Sequence, residues 1–307
     1  MSQQAGYLFV HFTGENTPEG EQIYFAISED GLHWSDCTEK EQPVLRTELG
    51  EKGARDPFIV RDVHGNGYYL IATDLRIATG KGWTDSVING SRSILIWKSE
   101  DLINWNEPRL VEVGIPEAGC VWAPEVVYDR KREDYFIFFA SNVKEKGEDE
   151  AKQRIYFTRT KDFEHFSETK KYIERDNHVI DTTIIEHEGL YYRYSKNETS
   201  KHIDIDVADD LEAAEFKPIE SETLAQLFGV EGPEIYPLPE EGKWCLIVDR
   251  FMEGKGYLPL VTENLASGEF RILTDDEFDM GSNRKRHGGV LKLTGEEYKR
   301  LKEYYHK

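Results

Sequence analysis

The chain has 307 residues, with 59 Asp and Glu against 38 Lys and Arg, a net charge of −21 and 12% aromatic residues. That charge repels phosphate, which argues against nucleic acid and anionic membrane surfaces as partners. No apolar run approaches the ~20 residues needed to cross a bilayer, and three cysteines (Cys37, Cys120, Cys245) are too few for a disulfide framework.

From the N-terminus, Met1-Ser2-Gln3-Gln4-Ala5 has neither a basic n-region nor an apolar h-region, so a cytoplasmic location is expected. Gly6 to Val10 reads as a strand, followed by the polar loop Thr13 to Gly20 and an element over Ala26 to Trp34. Ala54-Arg55-Asp56-Pro57-Phe58-Ile59-Val60 then enters an apolar run, turns at His64-Gly65-Asn66-Gly67, and returns as Tyr68 to Ala72. That is the pattern of two antiparallel strands about a Gly/Asn turn. Asp74 to Ser91, which contains Trp83, reads as a long loop, and Ile96 to Trp105 closes the unit. The same order recurs. Ala123 to Val127 leads to Tyr135 to Phe139 and closes over Phe157 to Phe166. Asp181 to Ile185 leads to Tyr191 to Tyr194, and Gly232 to Tyr236 leads to Trp244 to Val248, with weaker closures at Val207 to Leu211 and Val261 to Leu265. His287 to Leu291 opens a fifth copy without its partner strands. Helical periodicity is confined to Gly295 to Leu301.

With Asp56, Ala123, Asp181, Gly232 and His287 taken as equivalent, the repeats are 67, 58, 51 and 55 residues apart. Repeats of several short strands at that spacing predict an all-β fold, a single five-bladed β-propeller over residues 1–307. The strands missing from the fifth copy are expected from the N-terminus, which locks the ring. Inner strands of a propeller begin at one face, so Asp56, Trp122, Asp181, Glu231 and His287 converge on a central cavity. A lone Asp before a strand ordinarily serves a turn. Three acids at matching positions need another reason, because the second copy manages with Ala123 and buried charges are costly unless paired or used.

Arg55-Asp56-Pro57, Trp122-Ala123-Pro124-Glu125, Ile180-Asp181, Glu231-Gly232-Pro233 and Arg286-His287-Gly288, in this order, resemble glycoside hydrolase family 43 over nearly the whole chain. Thr182 stands where the family usually has proline. The resemblance implies an inverting glycosidase acting on oligosaccharides, commonly α-L-arabinofuranosides or β-D-xylosides, and exo action on short chains is expected. It makes Asp56 the general base, Glu231 the general acid and Asp181 the group that orients and tunes the acid. Inversion needs one ionised carboxylate to activate water and one protonated carboxyl to assist the leaving oxygen. A third carboxylate beside Glu231 is expected to raise its pKa by like-charge repulsion. Trp122 offers an apolar wall for the sugar. Trp83 is either a platform for the leaving sugar or an ordinary loop aromatic. His287 matches the histidine at the ring centre, either near a calcium ion completed mainly by waters or as a core histidine. Arg286, with Arg284 beside it, either reaches a sugar hydroxyl or a catalytic carboxylate, or pairs at the surface. No cofactor is needed for the chemistry itself.

Two other classes share these features. A retaining fructofuranosidase or a glycoside phosphorylase would use the same fold, the latter with a basic cluster in the pocket. A non-catalytic sugar-binding propeller would need aromatics but has no use for an Asp/Asp/Glu set.

Overall fold

A computed structural model describes residues 4–306; Met1–Gln3, part of the stretch read for a secretory signal, lie outside them. The strands in chain order begin with β1 (Gln4–Phe12), β2 (Tyr24–Ser28) and β3 (Ser35–Asp36). The next sheet is β4 (Ala54–Arg61), β5 (Tyr68–Asp74), β6 (Ser93–Ser99) and β7 (Arg109–Glu112). It is followed by β8 (Trp122–Asp129), β9 (Asp134–Val143), β10 (Lys152–Thr160) and β11 (Lys170–Ile173). A third comprises β12 (Val179–His187), β13 (Leu190–Asn197), β14 (His202–Ala208) and β15 (Lys217–Ile219), and a fourth β16 (Glu231–Pro237), β17 (Trp244–Asp249), β18 (Tyr257–Thr262) and β19 (Arg271–Ile272). The last strand, β20 (Arg286–Thr294), pairs with β1, so the fifth sheet has the order β20-β1-β2-β3. Five antiparallel blades form the ring, and the N-terminal strands close it.

Each cleft between neighbouring blades holds its own apolar cluster. Ile71 and Ile96 of the first blade meet Val126 and Ile137 of the second, and Phe136 and Phe138 meet Ile180 and Ile184 of the third. Tyr192 and Tyr194 meet Leu246 and Val248 of the fourth. The core is therefore divided radially, and the ring centre is left to polar groups.

The repeated closing element is a turn built by side chains. Ser99 Oγ accepts from the backbone N–H groups of Asp101 and Leu102, and Asp101 Oδ1 accepts from those of Ile103 and Asn104. Thr160 and Asp162 repeat this around Phe163, and Ser28 and Asp30 around Gly31. Leu102, Phe163 and Gly31 all take positive φ (67, 57 and 81°). The satisfied backbone groups offset the strain of the two non-glycine cases.

The segment read as a loop from Asp74 to Ser91 contains a helix, α1 (Gly82–Asn89). Two more helices are α2 (Glu222–Gln226), also unforeseen, and α3 (Gly295–Tyr305), which starts on a Thr294/Glu297 capping box. Among the described residues no helix is long and apolar enough to cross a membrane.

Candidate active site

Every inner strand breaks its register at the same place near its start. The shifts fall between Arg55 and Phe58, Trp122 and Glu125, Ile180 and Thr182, and Glu231 and Glu234, with a fifth at Arg286/Gly288. In four blades the bulged residue is left-handed: Asp56 φ 47°, Ala123 48°, Asp181 47° and Gly232 50°. A bulge re-aims side chains, so consecutive residues face the same cavity. Arg55 and Asp56, Ile180 and Asp181, and Arg286 and His287 all line it, joined by Trp122 and Glu231. The cavity measures about 340 Å³, at the small end of ligand sites (roughly 300–1,000 Å³).

Asp56 is fixed through Thr73, whose hydroxyl donates to Asp56 Oδ2 (2.9 Å) while accepting from the Ala123 N–H (2.8 Å). Asp181 Oδ2 accepts from the Gly232 N–H at 3.1 Å. Burial raises Asp181 to about 6, with His287 and Lys196 pulling against the rise and Glu231 and Asp56 adding to it. Gly232 is required here, since a Cβ would lie 2.7 Å from His287 Cγ. Tyr257 ties these strands together by donating to Gly232 O and accepting from the Gly288 N–H.

Glu231 departs from expectation. Burial alone would raise its pKa, but Lys196 and then Arg286 outweigh it and hold the carboxyl down at about 2. Lys196 Nζ donates to Oε2 at 2.8 Å and Arg286 Nη2 to Oε1 at 2.7 Å. The like-charge argument is overturned because each carboxylate oxygen carries its own cation. Arg286 also donates to the buried Asp249, the strand partner of Glu231. Arg284 does something else: it donates to the carbonyls of Thr13 and Gly254.

His287 lies among carboxylates. Nδ1 is 3.6 Å from Asp56 and 3.8 Å from Asp181, and Nε2 is 3.7 Å from Glu125. Burial would lower it, yet Asp181, Glu125 and Asp56 together raise it to about 10. An imidazolium has no lone pair for a metal. Among the described residues no three His, Cys, Asp or Glu side chains are arranged to hold an ion. A calcium ion there would need a neutral His287 and a shell completed mainly by waters. Below His287, Glu125 and Glu234 are buried carboxyls raised by desolvation, Glu125 to about 7. Among the described residues neither oxygen of Glu125 has a hydrogen-bond partner, while Glu234 accepts from Thr183 and the Val290 N–H.

Trp83, on α1, lines the cavity with its ring at 6.1 Å from Trp122, edge to face. It is placed by Glu21, which accepts the Ile77 and Ala78 N–H groups and pairs with Arg55 at 2.8 Å. The Arg55 guanidinium lies over the Trp83 ring at 4.9 Å. Sequence reasoning did not single out Arg55, Lys196, Glu198 or Phe251, which also line the cavity. Counting the hairpin register back from Ile180 would have found Lys196, its partner on β13.

A family model described as "Probable glycosyl hydrolase domain", of the family 43-related type, matches residues 2–299. The chain belongs to this family. An α-L-arabinofuranosidase of Bifidobacterium longum subsp. longum is 30% identical over 215 residues, 64% of this chain and 20% of that protein. The chain thus spans about a fifth of that relative's length. Among solved structures, a family-43 β-1,3-galactosidase superposes with TM-score 0.61 at 11% identity, covering 91% of this chain and 58% of that one. The catalytic domain of a Coprinopsis cinerea family-62 α-L-arabinofuranosidase gives 0.53 at 13% identity over 76% and 71%. At such identities these two show the shared propeller fold alone.

Proposed function

We propose that this chain is an inverting, exo-acting glycoside hydrolase that removes a terminal α-L-arabinofuranosyl or β-D-xylosyl residue from an oligosaccharide. The observation that carries the reading is the convergence of Asp56, Asp181 and Glu231, from three blades, on one small cavity walled by Trp122. A cavity of that size suits a chain end better than a polymer crossing. The arabinofuranosidase relative favours the first sugar. Asp56, held by Thr73, draws a proton from the attacking water. Glu231 gives one to the leaving oxygen and enters the reaction from its minor protonated form. Asp181 holds the Gly232 N–H and thereby the backbone beside the acid.

A phosphorylase needs a free basic cluster. Arg55, Lys196 and Arg286 supply the charge, but each is paired with carboxylates, so hydrolysis is the better reading. The experiment is Glu231→Gln assayed on two leaving groups. Acid catalysis contributes roughly 10²–10⁴-fold, so a loss of that size is expected on an unactivated disaccharide and a much smaller one on an activated aryl glycoside. Asp56→Asn should lose activity on both, and NMR of the fresh product should show inversion. Equal losses for Glu231→Gln on the two substrates, or a retained anomer, would falsify the assignment.

A further inference from the structure

Lys196 is the least expected group in the cavity. Its side chain is 3% exposed, and lysines are almost never fully buried unless paired. It stands on β13 opposite the bulge of β12, with its ammonium 2.8 Å from Glu231 Oε2 and 2.7 Å from Glu198 Oε2, and 4.3 Å above the Phe251 ring. We propose that Lys196 is a positioning residue for the proton donor: by contact with Glu231 it fixes the upper pH limit of the reaction. This rests on reading Glu231 as the general acid.

The charges around Glu231 come from every strand packed against it. Lys196 faces it from β13 and Arg286 from β20, while Asp181 on β12 and Asp249 on β17 add negative charge, and Asp56 and His287 lie beyond. Arg286 is shared, because its Nε donates to Asp249. Lys196 also has Glu198, but that carboxylate is partly solvated and pairs with Lys201 as well. Without Lys196, Glu231 would be a buried carboxyl beside Asp181 and Asp249 with half of one guanidinium. Such a group keeps its proton to higher pH.

The test is the pH profile of kcat/KM for Lys196→Met, which retains the stem. On a substrate with a poor leaving group the alkaline limb should move up by ~1–3 pH units, the range expected for losing an opposite charge at this distance. Lys196→Arg should restore the original limb. On an activated aryl glycoside, which needs no acid, the limb should stay. Activity on the substrate with the poor leaving group, relative to the aryl glycoside, should rise as well, because more of Glu231 is protonated, whereas a purely structural role would change both substrates together. A limb that is unmoved or moves down in a folded Lys196→Met protein overturns the proposal. If that variant does not fold, carboxyl ¹³C NMR of the wild type decides: Glu231 titrating at or above an ordinary glutamate rules the proposal out, and titration below it supports it. Failure of the parent reading looks different, since Glu231→Gln would then remain active on poor leaving groups. The NMR titration still judges the Lys196 contact in that case.

Discussion

His287 shows how one residue couples the site to folding. Its imidazole is raised from 6.5 to about 10 by Asp181, Glu125 and Asp56. A cation whose folded pKa exceeds its unfolded value stabilises fully below the unfolded pKa, and the contribution is lost as pH rises through the folded one. Stability should therefore decline between pH 6.5 and about 10. Lys292, lowered to about 8 by burial, acts in the opposite sense, so the decisive measurement is a comparison. Denaturant midpoints of wild type should fall across that window, and those of His287→Gln should be flatter. A parallel pair of curves would remove His287 from the account. The same residue marks what was legible in the sequence. Asp56, Trp122, Asp181, Glu231 and His287 head inner strands, and a repeated motif brings strand heads together at one face. Arg286 was legible as a motif residue, but Lys196 lies near the far end of a second strand and shows only when the hairpin register is counted back from Ile180, so its charge beside Glu231 was not weighed. The sign of the Glu231 shift was misjudged for that reason.

The element that builds the site is the bulge. Two non-glycine acids, Asp56 and Asp181, accept a left-handed φ that costs of order 1–3 kcal/mol each. Ala123 adopts the same conformation in the second blade, so a Cβ by itself is compatible with this backbone. Gly232 differs in its neighbour. A Cβ there meets Cγ, Cβ and Cδ2 of His287 at 2.7–3.0 Å, and that ring is buried among three carboxylates. Gly232→Ala should thus force His287 out of place, lowering the unfolding free energy by about 1–3 kcal/mol, as overpacking does, and reducing activity. A urea titration showing a change below about 0.5 kcal/mol, the range of an ordinary surface change, would mean that the ring moves freely. Elements without a period fared worst in the sequence. α1 has eight residues and no side-chain N-cap, and it is held by the Glu21 and Arg55 contacts outside it. No local signal could announce such a helix.

At the scale of the whole molecule, the ring is closed by hydrogen bonds and packing where β1 meets β20, from Gln4 opposite Thr294 to Phe12 opposite Arg286. β1 is an interior strand, between β20 and β2, and its two faces fill two different clefts. Leu8 and Val10 pack with Ala54, Leu70 and Leu95 of the first blade, while Tyr7 and Phe9 pack with Tyr236, Ile247 and Tyr257 of the fourth. All four of these β1 side chains are fully buried. Each contributes about 1.5–3 kcal/mol on burial, so together they rival the roughly 5–15 kcal/mol that separates a folded domain from its unfolded state. Deleting residues 1–12 should therefore do more than fray an edge. It opens both clefts, strands β2 and β3 without a neighbour, and uncouples β20, which carries Arg286 and His287, from its blade. The expected outcome is a sharply lower melting temperature or loss of the cooperative transition, with activity lost alongside it. Calorimetry of the truncated protein is the measurement, and a transition matching the full-length chain in midpoint and enthalpy would show that the ring holds without its N-terminal strand.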